Sequence, residues 1–176
     1  MKRQIIGLIG GPGSGKSYVA DLLGQRWGYS LVKMSAPLKD MLRGLGLTED
    51  EIEGDLKEEP CALLSGRTPR YAMQTLGTEW GRELISPTLW ADLWRHRLGP
   101  LSRIVVDDVR FPNEVELIRE EGGLILRVDG RLKTRTNANE AHAAERWESL
   151  PYDRRIFNAM NGPADLAGRL SMELGI

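Results

Sequence analysis

The sequence is poor in the residues that disulfide and zinc chemistry need, with one cysteine, Cys61, and two histidines, His96 and His142, in 176 residues. A single cysteine excludes an intramolecular disulfide, and two histidines far apart give no Cys/His cluster with zinc-ligand spacing. An excess of one charge is also missing, since 24 Lys and Arg stand against 25 Asp and Glu for a net charge of −1. With neither a basic excess nor a basic groove interleaved with aromatics, no nucleic-acid partner is expected. Long apolar runs are absent as well. The run from Ile5 to Ile9 is too short for a signal-peptide core and breaks into glycines, and no other run approaches the roughly 18 residues that cross a bilayer. No membrane partner is expected, and the reading is a soluble, cytoplasmic protein. No internal repeat or Pro/Gly/Ser-rich linker divides the chain, so 1–176 reads as a single domain, with 41% hydrophobic residues to build its core.

What the chain does have is alternation between short apolar stretches and longer segments of helical period. Apolar stretches at 5–9, 29–33, 103–106, 124–128 and 155–157 predict five strands. The first four are rich in Ile, Leu and Val with little alternation, as in a mainly parallel sheet covered by helices on both faces. Helices are predicted at 16–27, 37–44, 68–84, 87–98, 112–121, 139–148 and 163–174, several opening with Pro in the first turn or with Ser, Thr or Asn at the cap. The segment between the second and third strands is about twice as long as a crossover needs, which predicts a helical insertion at about 36–100 that carries specificity.

Gly10-Gly11-Pro12-Gly13-Ser14-Gly15-Lys16-Ser17 satisfies G-x-x-x-x-G-K-[ST] between a strand and a helix. Glycines let the loop curl so that successive N–H groups point at phosphate oxygens, and the following helix adds the positive end of its dipole. Gly11, Gly13, Ser14, Gly15, Lys16 and Ser17 are therefore the expected nucleotide cradle, with Lys16 reaching the β- and γ-phosphates of ATP and Ser17 on Mg²⁺. The spacing does not fit G-x-G-x-x-G, which disfavours a dinucleotide. Bound Mg²⁺ also needs a carboxylate at the end of a neighbouring strand, and Ile104-Val105-Val106-Asp107-Asp108 closes an apolar strand on two. An extended backbone points these two side chains opposite ways, so one addresses the metal. Asp108, followed by Arg110, is the expected residue; the bland alternative is that both aspartates merely end the strand.

Within the insertion, Arg70, Gln74, Thr78 and Arg82 recur every fourth residue and form one polar stripe, opposed by an apolar stripe of Met73, Leu76, Trp80 and Leu84. Such a stripe could hold a phosphate and read a base edge, or be an ordinary solvated face. Gly77 and Gly81 each cost a helix about 1 kcal/mol, which suggests close approach by a ligand or another backbone. Trp90 and Trp94, four residues apart on the next helix, read more readily as core than as ligand platforms. Segment 48–59 carries seven acids against Lys57 and reads as a solvated helix or mobile loop. After the fourth strand, Arg127, Arg131, Lys133 and Arg135 face one acid, Asp129, in a basic segment suited to a lid at about 129–138, with Arg131 nearest a transition-state role. His96 and His142 are assigned no role.

These residues resemble the deoxynucleoside monophosphate kinases of tailed bacteriophages, a branch of the P-loop nucleoside monophosphate kinases. The resemblance rests on the phosphate loop, on Ser35-Ala36-Pro37-Leu38-Lys39, on Thr68-Pro69-Arg70 leading into Gln74-Thr75-Leu76-Gly77-Thr78-Glu79, and on Trp90. It continues through Asp108-Val109-Arg110-Phe111-Pro112-Asn113-Glu114 and His142-Ala143-Ala144-Glu145 to Asp153 and Asn158, with Ala144 departing from the serine often found there. It implies a P-loop NTPase fold, a three-layer α/β/α domain with a five-stranded mainly parallel sheet and an inserted helical substrate-binding region. It also implies transfer of the terminal phosphoryl group of ATP, with Mg²⁺, to a deoxynucleoside 5′-monophosphate. By position, Ser35, Lys39, Arg70, Gln74, Thr78 and Trp90 would bind the acceptor, with Arg70 on its phosphate. Lys16, Asp108, Arg110 and Arg131 would be the catalytic set, and Ser17 and Asp108 the metal side. The resemblance is compatible with a homodimer. Two other readings stay open: a small-metabolite kinase of the dephospho-coenzyme A kinase type, and a nucleotide-controlled switch, which the absence of an Asn-Lys-x-Asp base-reading motif disfavours.

Overall fold

The computed structural model describes residues 3–130, 147–159 and 162–176. Five strands, β1 (Gln4–Ile9), β2 (Ser30–Leu31), β3 (Arg103–Val106), β4 (Leu124–Gly130) and β5 (Arg154–Asn158), form one sheet in the order β2-β3-β1-β4-β5. Every pairing is parallel. On one face, Ile6, Leu8, Val105, Leu126, Val128 and Ile156 pack against Val19, Leu22 and Leu23 of α1 (Lys16–Trp27) and Leu166 and Leu170 of α7 (Pro163–Leu174). The other face receives α6 (Pro112–Glu120), and Gly7 lets it in, because a Cβ there would lie 2.7 Å from Ile118 Cδ1 and 2.8 Å from Ile125 Cδ1. The result is the expected three-layer α/β/α fold, and its coverage on both faces explains why the central strands are apolar without alternation. Strand order reverses at β1, between β3 and β4, so the C-terminal end of β1 opens on the crevice where open α/β sheets bind ligands.

The chain divides into two compact units, 34–97 and the remainder. The helices expected at 16–27 and 163–174 and the strand at 103–106 have those bounds, whereas the second strand is shorter than expected and the fifth longer. Of the expected helix 139–148 and basic lid 129–138, Arg131 and the rest of 131–146 lie outside the described residues. Asp129 and Gly130 belong to β4, and Trp147–Ser149 forms a 3₁₀ turn.

Unit 34–97 contains α2 (Ala36–Gly44), α3 (Glu49–Ile52), 3₁₀ turns at Asp55–Glu58 and Ala62–Leu64, α4 (Pro69–Thr75) and α5 (Leu89–Arg97). Its core is Leu38, Leu42, Leu47, Ile52 and Trp90, flanked by Leu64, Ala72, Met73, Leu76 and Leu89. Thr68 starts α4, its hydroxyl accepting from the Tyr71 N–H at 3.1 Å, with Pro69 in the first turn. The single α-helix expected over 68–84 is corrected here: after Thr75 the chain widens into a π-helix, Leu76–Ile85. Gly77 and Gly81 are what the widening accommodates. A Cβ on Gly81 would lie 2.5 Å from Trp90 Cζ2, and the Trp90 indole N–H donates to the Gly77 carbonyl at 2.7 Å. The close approach is therefore by side chains rather than the expected ligand or backbone, by the buried indole at Gly81 and by Leu38 at Gly77, where a Cβ would lie 3.1 Å from Leu38 Cδ1. The wider turn also breaks the expected apolar stripe, leaving Trp80 38% and Leu84 76% exposed.

Candidate active site

The phosphate loop follows β1 directly, and its shape depends on glycine at Gly10, Gly13 and Gly15, where φ is 151°, 75° and 93°. Two of these positions are also closed to a side chain. A Cβ on Gly10 would meet the Val128 carbonyl oxygen at 2.3 Å, and one on Gly15 would meet Asn158 Nδ2 at 2.2 Å. Gly15 is the N-cap of α1 and brings no side-chain cap, so the first-turn N–H groups of the helix are left to an anion. The Lys16 ammonium donates to the carbonyls of Gly10 at 2.7 Å and Gly11 at 3.1 Å, folded across the loop it would share with a polyphosphate. Asn158, 7% exposed at the end of β5, reaches the Ser14 carbonyl. Only its place in the resemblance marked Asn158 in the sequence.

The expected metal carboxylate is Asp108, whereas the carboxylate to which Ser17 Oγ donates, at 2.9 Å, is that of Asp107 through Oδ2. Strand alternation supplies the reason. Val105 packs in the cluster on the α1 face, and Asp107, two residues on, projects to that same face, where Ser17 lies in the first turn of α1. Asp107 is 6% exposed, and its Oδ1, like Ser14 Oγ, is a buried polar atom with no hydrogen-bond partner among the described residues. Buried polar atoms are rarely left so, and two at the glycine loop are what a phosphate and its cation would satisfy. Beyond Asp108 the chain turns into α6. The buried Glu114 carboxylate accepts from the N–H groups of Arg110 at 2.8 Å and Phe111 at 3.1 Å, which ties the Asp108–Glu114 motif together and presents Arg110 as an exposed side chain.

Unit 34–97 holds the residues expected to bind the acceptor. Ser35 is the N-cap of α2, and Lys39 lies one turn on, donating to Glu53 at 2.7 Å. Arg70 donates through Nε to Glu58 at 2.8 Å. Gln74 lies half-buried on α4, and Thr78 is exposed on the π-helix. Trp90 is 3% exposed, so it acts in this unit as a buried wedge under the π-helix rather than as a surface a base can stack on. The acidic run forms the short helix α3 and a 3₁₀ turn with most of its acids exposed, as the solvated-helix reading expects, and it is held by the fully buried Ile52 and by ion pairs from Arg43 to Glu49, Lys39 to Glu53 and Arg70 to Glu58.

No established family profile matches the chain. A protein of Acanthamoeba polyphaga mimivirus assigned as a deoxynucleotide monophosphate kinase is 36% identical over 141 residues, which cover 71% of this chain and 73% of the relative. The deoxynucleoside-5′-monophosphate kinase of Escherichia phage T5 is 39% identical over 59 residues, 32% of this chain and 24% of that one. Among solved structures, TT1252 from Thermus thermophilus aligns over 98% of this chain and 97% of its own with a TM-score of 0.54 at 19% identity, a likeness of fold alone. Identity of 36% sustained over 71% of the sequence places this chain in the deoxynucleoside monophosphate kinase family.

Proposed function

We propose that the protein transfers the γ-phosphoryl group of ATP to a deoxynucleoside 5′-monophosphate, giving ADP and the deoxynucleoside diphosphate. The observation that carries this reading is the cradle with its carboxylate: a glycine loop closed to side chains, Lys16 across it, and Ser17 bonded to a buried Asp107 whose second oxygen lacks a partner among the described residues. The all-oxygen pair of Ser17 and Asp107 fits Mg²⁺, which when bound neutralises charge on the β- and γ-phosphates. Lys16 would exchange its two carbonyl acceptors for phosphate oxygens. The loop N–H groups and the uncapped N-terminus of α1 would hold the β-phosphate.

The acceptor is itself a phosphate oxygen bearing negative charge, so positioning and charge neutralisation do the chemistry and no nucleophile-base pair is required. Lys39 and Arg70 supply the positive charge that unit 34–97 offers an acceptor phosphate, with Ser35, Gln74 and Thr78 as hydrogen-bonding groups for the nucleoside. Trp90 positions the π-helix that carries Thr78. Arg110, and Arg131 outside the described residues, are the arginines we assign to steadying transferred charge. The chain would work as a cytoplasmic enzyme on small molecules, without nucleic acid, and as a homodimer if two copies associate. Among the described residues, no helix is long and apolar enough to cross a membrane.

The test is ADP release with ATP and Mg²⁺ against each nucleoside monophosphate, with products separated by chromatography. ADP and a deoxynucleoside diphosphate formed in equal amounts are expected. Transfer to no monophosphate by protein that binds ATP would refute the proposal and favour a small-metabolite acceptor or a nucleotide switch. Lys16→Ala and Arg70→Ala should each lower turnover by about 10²-fold or more while leaving the fold intact, as loss of aligned positive charge does.

A further inference from the structure

The acidic segment places carboxylates on both of the cations that the acceptor phosphate would need. Glu58, in the 3₁₀ turn Asp55–Glu58, accepts from Arg70 Nε at 2.8 Å. Glu53, the residue after α3, accepts from Lys39 Nζ at 2.7 Å. Both pairs lie within unit 34–97, so they form inside one compact body. The carboxylates are not casually placed. Ile52 is fully buried in the core of that unit, and Arg43 grips Glu49 through two bonds of 2.5 and 3.0 Å, so the backbone that presents Glu53 and Glu58 is anchored at its start.

We infer that Glu53 and Glu58 are internal competitors for the acceptor phosphate: they occupy Lys39 and Arg70 in the free enzyme and must be displaced before a monophosphate binds. The inference rests on the acceptor reading of Lys39 and Arg70 given above. A guanidinium offers a fork that a phosphate dianion fills with two parallel bonds, whereas Glu58 uses the single Nε–H. A dianion therefore displaces a carboxylate, and a nucleoside without its phosphate does not. The two glutamates thus raise the KM of the acceptor and restrict the site to ligands carrying a phosphate. They also give two of the seven acids of this segment a role, as counter-charges to Lys39 and Arg70. The pair of Arg70 and Glu58 is partly exposed, at 39% and 63%, so its displacement costs little and the effect on KM is modest.

The experiment measures steady-state kinetics and calorimetric binding of the accepted monophosphate. It compares the wild type with Glu58→Gln, the double variant Glu53→Gln/Glu58→Gln and Arg70→Ala. Glu59→Gln, exposed and next in sequence, removes the same charge one residue away and is the control. Glu58→Gln should lower acceptor KM and Kd by about two- to fivefold, and the double variant by about tenfold, the size expected for exposed ion pairs. The KM for ATP should stay constant. The inhibition constant of inorganic phosphate against the monophosphate should fall by the same factor, and Glu59→Gln should change none of these. In an Arg70→Ala background, Glu58→Gln should lose its effect. If Arg70→Ala weakens acceptor binding but Glu58→Gln leaves it unchanged or weaker, competition is overturned and the acceptor reading stands. A uniform gain in Glu58→Gln and Glu59→Gln also overturns it, in favour of net charge. Unaltered acceptor binding in Arg70→Ala overturns the acceptor reading and the inference together.

Discussion

Replacing Asp107 with asparagine separates the two candidate metal carboxylates with almost no change of shape. The asparagine Oδ1 can still accept from Ser17 Oγ, which now bonds Asp107 at 2.9 Å, so the link between β3 and α1 survives. What is lost is one negative charge at a site 6% exposed to solvent, on the side chain whose other oxygen has no partner among the described residues. Removing one preorganised electrostatic contact in a water-poor site costs about 2.7–4 kcal/mol, or about 10²–10³ in kcat. Stability should move the other way. A neutral amide is cheaper to bury than a carboxylate with an unsatisfied oxygen, so the melting temperature of Asp107→Asn should equal or exceed that of the wild type. The assay is ADP release over a Mg²⁺ titration, with Asp108→Asn beside it. Asp107→Asn should lose turnover and require more Mg²⁺, and Asp108→Asn should retain within about tenfold of wild-type kcat. Full turnover in Asp107→Asn with collapse in Asp108→Asn would refute the reasoning from strand parity and return the metal to Asp108.

Gly81→Ala should destabilise the acceptor unit, because the new Cβ would lie 2.5 to 2.6 Å from three atoms of the Trp90 ring. The indole cannot retreat without breaking its 2.7 Å bond to the Gly77 carbonyl. The cost of such overpacking is about 1–3 kcal/mol, readable as a lower melting temperature, and an unchanged one would show that the π-helix yields. Acid should loosen the acidic segment. Bonds from Arg43 hold the Glu49 carboxyl below the usual carboxylate range, and the Thr48 N–H does the same, first among several donors, for Glu51. Carboxyls whose folded pKa is depressed add stability that is complete above their unfolded pKa, about pH 4, and is lost as pH falls through the lower folded value. Carboxyl NMR titrations should therefore show Glu49 and Glu51 protonating below the ordinary glutamate range, about pH 4, and midpoints within that range would contradict those bonds.

Much of the fold was legible because its signals are local. Helix α1 could be bounded from Lys16 to Trp27, since a glycine loop opens it and Gly28, at φ 70°, ends it. The phosphate cradle was legible for the same reason, as its chemistry lies in eight consecutive residues. The choice between Asp107 and Asp108 was not, because parity tells only that the two differ in face; which face carries α1 is a matter of packing. The stripe of Arg70, Gln74, Thr78 and Arg82 was visible as a spacing. The π-helix that carries its second half comes from Trp90, nine residues beyond Gly81, pressing on glycines that sequence showed only as unusual. The acidic run was legible as a solvated helix, whereas its anchoring by Ile52 and by three cations from α2 and α4 was not.

By itself, the sequence determined the parallel α/β class, the glycine loop proposed as the nucleotide cradle and the order of the motifs that mark the family, all carried by neighbouring residues and their periodicity. Tertiary structure alone decided that Asp107 faces Ser17, that Trp90 is a buried wedge and that Glu53 and Glu58 sit on Lys39 and Arg70. Each of these is a pairing between segments far enough apart in the chain that only the packed core sets their separation.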